Sequence, residues 1–305
     1  MKNLLIAIAA VLLACTLEAK SPRESLVVDT KWLAAHINDP DLVLLHVGDK
    51  NEYAARHLPG ARLVSLSDVA VSDHEPTGLI LEIPPTAEEL RVRLEKLGIS
   101  DGSRVVVYYG KDWVSPTTRV LFTLDYAGLG DRAVLLDGGM GAWVRDGHAV
   151  TDVVAPARSG KLSPLKVRKT VVDAAFVRAN IGKPGIALVD GRAAAFYDGI
   201  DTGGTHDQEH RTGHIVGAGS FPFTEITNEA LMLKSPEELR ALLTRAGVKP
   251  GDTVLGYCHI GQQTTAPLFV ARTLGHKVLL YDGSMQDWSR RAGNPVVNPA
   301  AGGRK

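Results

Sequence analysis

Cysteine is nearly absent: the 305 residues hold two, Cys15 and Cys258. That excludes a disulfide-stapled scaffold and any cysteine-rich zinc module. Aromatic residues make up 6%, and 34 basic side chains balance 34 acidic ones. With no basic patch and no aromatic platform, nucleic acid is not an expected partner. Beyond the amino terminus no apolar run is long enough to span a membrane. The rest, 45% hydrophobic over 305 residues, suits a globular chain of about two domains.

The exception is the start. Lys2 precedes an apolar stretch from Leu4 to Ala14, followed by small residues and then Glu18 and Lys20. This is the pattern of a secretory signal over residues 1–19, and it predicts a periplasmic protein. Ala19 would end an ordinary cleavage site. Leu12-Leu13-Ala14-Cys15 instead resembles a lipobox, and a membrane anchor follows only if Cys15 is acylated. Either way Cys258 is the only thiol left in the mature chain. It has no partner with which to form an internal disulfide, even in an oxidising compartment.

Cys258 has a definite setting. Thr253 to Tyr257 reads as a buried strand, and Gln262 to Leu274 has the apolar spacing of a helix. Cys258 therefore opens the turn at a strand's carboxyl end, where α/β sheets bind ligands. A short turn curling into a helix aims successive N–H groups inward, and such a cradle favours thiolate over thiol. The alternative is that Cys258 is a small buried hydrophobe.

The chain repeats itself. Asp29 or Thr30 caps a helix through Ile37, and Leu42 to Val47 is a strand. The turn from Tyr53 to Ala61 and a capping box at Thr86-Ala87-Glu88-Glu89 come next. Arg104 to Tyr109 is a strand, Thr117 to Ala127 a helix, Ala133 to Leu136 a strand, and Asp137 to Trp143 a turn ending in an aromatic. The same landmarks return in the same order. They are a helix from Thr170 to Ala179, the strand Ile186 to Asp190, and the turn Gly213 to Ala218. A capping box at Ser235-Pro236-Glu237-Glu238, the strand before Cys258, the strand Lys277 to Tyr281 and the turn Asp282 to Trp288 complete the set. This predicts an α/β fold in two copies, each a mostly parallel sheet flanked by helices. The copies occupy residues 25–153 and 170–293, with a Pro- and Gly-interrupted linker over 154–169 and a tail over 294–305. At the place of Cys258 the first copy has Tyr109, so only the second can hold a nucleophile.

These residues resemble the rhodanese family of sulfurtransferases, tandem-domain type. Tyr53-x-x-x-His57-Leu58-Pro59-Gly60-Ala61 is similar to the family's amino-terminal signature, and Asp282-Gly283-Ser284-x-x-Asp287-Trp288 to its carboxyl-terminal one. Tyr257-Cys258-His259-Ile260-Gly261-Gln262-Gln263 resembles its catalytic loop. The resemblance implies two rhodanese-like domains, the first inactive, and covalent catalysis in which Cys258 takes sulfur from a small donor and passes it to cyanide or a thiol. The N–H groups from Ile260 to Thr264 would hold the charge of the bound sulfur. No metal or organic cofactor is implied.

The donor is less determined. Thiosulfate-using members place cations after the cysteine, where this chain has Gln262 and Gln263. Phe196 stands where a facing-loop Arg is usual, and His259 is at most partly charged. Members that use 3-mercaptopyruvate have a serine where Ile260 stands, and an aspartate where His46 stands, so thiosulfate leads. Asp190 and Arg192 either fix the loop framework or assist anion binding. Arg211, His206 or His210, in the insertion from Asp198 to Arg211, could replace the missing cation. The spacing of His206, His210 and His214 would mark a metal face on a helix, but Gly213 breaks that helix and no metal is expected. Two other readings compete. A phosphatase of the same fold would need an Arg where Thr264 stands. A persulfide carrier would load sulfur without turning it over.

Overall fold

In the computed structural model, which describes residues 21–73, 80–82, 86–111, 114–156, 158–202 and 211–303, the chain forms two five-stranded parallel sheets. The first contains β1 (Val27–Val28), β2 (Leu42–Val47), β3 (Arg62–Val64), β4 (Arg104–Tyr109) and β5 (Ala133–Leu136), in the order β1-β5-β4-β2-β3. The second contains β6 (Val171–Val172), β7 (Ile186–Asp190), β8 (Gly219–Ser220), β9 (Thr253–Tyr257) and β10 (Val278–Tyr281), in the order β6-β10-β9-β7-β8. The two orders are the same. In register, His46 lies beside Tyr108 as Asp190 lies beside Tyr257.

The repeat extends to side chains. Tyr53 stacks on His57 with ring centroids 4.0 Å apart, and Tyr197 on His214 at 3.7 Å. Each histidine Nδ1 meets the carbonyl of its tyrosine, at 2.7 Å and 2.8 Å. The Tyr108 hydroxyl accepts the N–H of Leu58, and the Tyr257 hydroxyl accepts that of Ile215, both at 3.0 Å. His57 and His214 therefore brace turns.

Local signals explain most element ends. Asp29 accepts the N–H of Trp32 at 2.7 Å and starts the helix Thr30–His36. Ser235 and Glu238 form a full reciprocal capping box ahead of Pro236–Arg245. At Thr86 the box is half formed. Its hydroxyl accepts from Glu89 N–H, but the Glu89 carboxylate turns to Arg93, an i,i+4 ion pair. The stretch from Thr170 is not one helix: Val171–Val172 extends the sheet edge, and Asp173 caps a helix that starts at Ala174. Among the described residues no helix is long and apolar enough to cross a membrane.

One helix joins the halves. α1 (Val114–Tyr126) begins a turn before the Thr117 suggested by the sequence, and it is buried from Val114 through Asp125. It packs against α2 (Thr265–Thr273) of the second half. A single apolar cluster runs from Leu45 and Val107 through α1 and α2 to Val254 and Leu280. A helix buried all round marks an interior element, here shared by two sheets.

Candidate active site

Cys258 follows β9 directly. Its N–H donates to Ser284 Oγ at 3.0 Å, and its carbonyl accepts from Met285 N–H at 3.0 Å. The His259 carbonyl likewise accepts from Gln286 at 3.1 Å. The loop thus starts pinned to the helix Ser284–Trp288. Ser284 has φ +53°, a conformation that a non-glycine residue adopts at a cost of about 1–3 kcal/mol. The matching residue of the first half is Gly139, also at φ +53°. A side chain is kept where the duplicate uses glycine, and that side chain holds the Cys258 amide.

Beyond Cys258 the sequence suggests a tight turn into a helix from Gln262. The structure differs: α2 starts at Thr265, so residues 259–264 form a longer open loop. The N–H groups of Ile260, Gly261, Gln262, Gln263 and Thr264 take no acceptor among the described residues. Gly261 has φ +86°, which only glycine adopts freely. Alternating backbone signs leave consecutive N–H groups in an anion-binding concavity. Two buried acceptors, Gln263 Oε1 and Thr264 Oγ1, also lack partners among the described residues. Thr264 is wedged between Gly191 and Gly256: a Cβ on Gly191 would stand 2.6 Å from Thr264 Cα, and one on Gly256 would strike Thr264 Oγ1.

The thiol is not on an open lip. Cys258 is fully buried and free, because its amide and carbonyl are both tied to the Ser284 turn, which holds it inside the sheet's end. His259 beside it is half-buried, with the ring of Phe196 edge-on at 4.5 Å. Phe196 therefore faces the cysteine loop from the helix Ala194–Tyr197.

Asp190 and Arg192 form a closed unit. Arg192 Nε and Nη2 grip both carboxylate oxygens at 2.6–3.2 Å, its own N–H donates to Oδ1, and Nη2 also reaches the Gly213 carbonyl at 2.7 Å. Burial opposes the guanidinium charge, but Asp190 outweighs it, and Tyr257 and Cys258 add to the attraction, so the Arg192 pKa is raised. Its charge remains fixed near the thiol. Arg211 is placed otherwise. Its Nε and Nη2 donate to the carbonyls of Ser289, Trp288 and Arg291, a mooring at the end of the helix Ser284–Trp288. These three bonds use Nε and Nη2 and hold the guanidinium against that helix end. His206 and His210 lie outside the described residues.

Three contributors from the first half have no signal in the cysteine motif. Arg119, fully buried in α1, donates to Asp282 at 2.6 Å and to the Gly261 carbonyl at 2.8 Å. Ser115 Oγ accepts from Gln262 Nε2 at 3.2 Å, and Thr118 Oγ1 lies 2.9 Å from Thr265 Oγ1. The half without a thiol thus holds the loop of the half that has one.

The family profile described as the rhodanese-like domain matches residues 29–146 and again 173–291. A probable 3-mercaptopyruvate sulfurtransferase of Pseudomonas aeruginosa is 30% identical over 284 residues, covering 89% of this chain and 97% of that protein. A thiosulfate sulfurtransferase of the same organism is 27% identical over 275 residues, covering 89% and 96%. Among solved structures, that of a 3-mercaptopyruvate sulfotransferase from Escherichia coli is similar at a TM-score of 0.72 and 25% identity, covering 85% of this chain and 98% of that one.

Proposed function

Because this chain belongs to the rhodanese family in both of its halves, we propose that it is a sulfurtransferase whose working thiol is Cys258. The observation that carries this reading is the free Cys258 at the head of a loop with five consecutive N–H groups lacking acceptors. Sequence relatives of nearly equal length act on thiosulfate or on 3-mercaptopyruvate by name. Thiosulfate is the donor put forward here.

The Cys258 thiolate attacks the outer sulfur of thiosulfate. The sulfur–sulfur bond of the donor breaks, and sulfite leaves with its electron pair. Cys258 now carries a persulfide anion, with the charge resting on the N–H groups from Ile260 to Thr264 and on the field of Arg192. Cyanide carbon, or a thiolate sulfur, attacks the outer sulfur; the bond between that sulfur and Cys258 Sγ breaks, its electron pair goes to Sγ, and the Cys258 thiolate returns. Asp190 holds Arg192 in place, and Ser284 and Arg119 hold the loop. His259 and Phe196 form the approach, and their shape favours a slender donor, since the thiol is recessed.

The test is mass spectrometry of the full chain after thiosulfate, and separately after 3-mercaptopyruvate. A gain of about 32 Da on Cys258, removed by cyanide with release of thiocyanate, supports the reading. Loading that cyanide cannot discharge indicates a carrier. Sulfur transfer by Cys258→Ser would refute it. The pattern of residues 1–19 further supports export to the periplasm, which fractionation and the amino-terminal mass of the mature protein would test, including acylation at Cys15.

A further inference from the structure

The half without a nucleophile keeps a cavity at the corresponding place. It has a volume of about 300 Å3 and opens beyond the carboxyl end of β4, with backbone at Gly110 and Gly138 in its lining. Tyr109 occupies the position of Cys258 and sends its hydroxyl across the domain boundary to the Leu231 carbonyl. That contact brings the segment from Glu229 to Leu231 of the second half against the cavity as a further wall.

The wall is built, not incidental. Leu231 sits at φ +59°, in the left-handed region that favours glycine. Asn228 Oδ1 accepts the N–H groups of Ala230 and Met232, both at 3.0 Å. Asp137 of the first half accepts that of Leu233 at 2.8 Å. Strain held in place by so many bonds points to a preformed surface.

Its charge is positive on balance. Arg56, Lys111 and Arg145 line the cavity with one carboxylate, Glu229, and Glu52, packed against Gly110 of the lining, attracts Arg56 and Lys111. All four lining charges are exposed, and none of the three cations has an ion-pair partner among the described residues. The buried cations, by contrast, are paired, Arg119 with Asp282 and Arg192 with Asp190. Three cations around one concavity outnumber Glu52 and Glu229 there, a surplus that a bound anion would offset.

We propose that this cavity binds a small oxoanion with two or more negative charges, bearing phosphate or carboxylate groups, held by Arg56, Lys111 and Arg145 between the two halves. It is a binding site and performs no chemistry, since Tyr109 replaces the thiol. The ligand leaves the sulfur chemistry at Cys258 untouched. The proposal stands independently of the donor used there.

Isothermal titration of the full chain at low ionic strength, with inorganic pyrophosphate and separately with citrate, tests it. We expect saturable one-to-one binding of at least one of them. Lys111→Gln with Arg145→Gln should weaken it at least tenfold, and Glu229→Gln should tighten it severalfold. Both variants should transfer sulfur at the parental rate. Binding of pyrophosphate alone, or citrate alone, assigns the ligand to the phosphate or the carboxylate class. Alkylating Cys258 with iodoacetamide should leave binding intact. Loss of binding on alkylation would place the anion at the catalytic loop and overturn the proposal. So would an unchanged affinity in the double variant, or no saturable binding of either anion.

Discussion

Arg119 and Asp282 meet at 2.6 Å across the boundary between the two halves, both buried, and the same guanidinium holds the carbonyl of Gly261. Through this pair the first half sets the path of a loop that lies in the second.

Removing one member strips the other of this ion pair in the interior. Arg119→Met is expected to lose about 3–5 kcal/mol of stability. Arg119→Met with Asp282→Asn should recover most of that loss in urea unfolding. It should not recover the sulfur-transfer rate, because the Gly261 carbonyl is still unheld. Recovery of both would reduce Arg119 to a stability element.

Ser284→Gly separates strain from positioning. Glycine adopts φ +53° without cost, as Gly139 does in the first half. The hydrogen bond to the Cys258 amide is lost, worth about 0.5–1.5 kcal/mol. Thermal stability is expected to stay within about 1 kcal/mol of the parent, while Cys258 loads sulfur roughly tenfold more slowly. Stopped-flow loading with thiosulfate beside a melting curve reads both.

Two glycines behind the loop should respond differently to alanine. At Gly191 the added Cβ meets Thr264 backbone at 2.6 Å, which cannot yield without moving the loop. At Gly256 it meets mainly the Thr264 hydroxyl. Gly256→Ala should therefore be relieved by Thr264→Ala, and Gly191→Ala should not, with steady-state sulfur transfer as the readout.

His46 predicts acid sensitivity in the first half. Burial, and secondarily the charge of His57, lowers its pKa from 6.5 to about 4. It stays neutral in the fold while the unfolded chain protonates it. Its contribution is thus complete above pH 6.5, falls as pH drops, and is spent near pH 4, a loss of roughly 3 kcal/mol. His46→Gln should flatten the stability profile over that window. Parallel profiles would remove His46 as the cause.

Phe196→Arg adds a cation beside His259. The apparent KM for thiosulfate is expected to fall roughly tenfold through a charge-assisted contact. An unchanged KM would mean that this position does not meet the donor.

The duplication was readable because it is carried by local chemistry. The turns from Tyr53 to Ala61 and from Gly213 to Ala218 repeat one pattern, and Ser235 with Glu238 announces a helix. The edge strands Val27–Val28 and Val171–Val172 were not, since two residues have no period. The start of α2 was misplaced because Gln262 and Gln263 suit a helix, and nothing local shows that their N–H groups are left out of one. Cys258 and Arg192 stand out by residue type and by motif. Arg119 and Ser115 do not, and the Ser284 motif does not show its bond to Cys258: their part depends on contacts more than twenty residues away, and Arg119 in particular looks like any polar residue of an amphipathic helix.

The burial of α1 on every side has an evolutionary reading. A duplicated segment that has lost its reactive group can ordinarily decay, since selection no longer sees it. Here the copy without a thiol lends its central helix to the interior of the copy that has one, so deletion would strip an apolar flank bare and release the loop that surrounds the sulfur. The twin without a thiol is thereby tied to its neighbour as architecture.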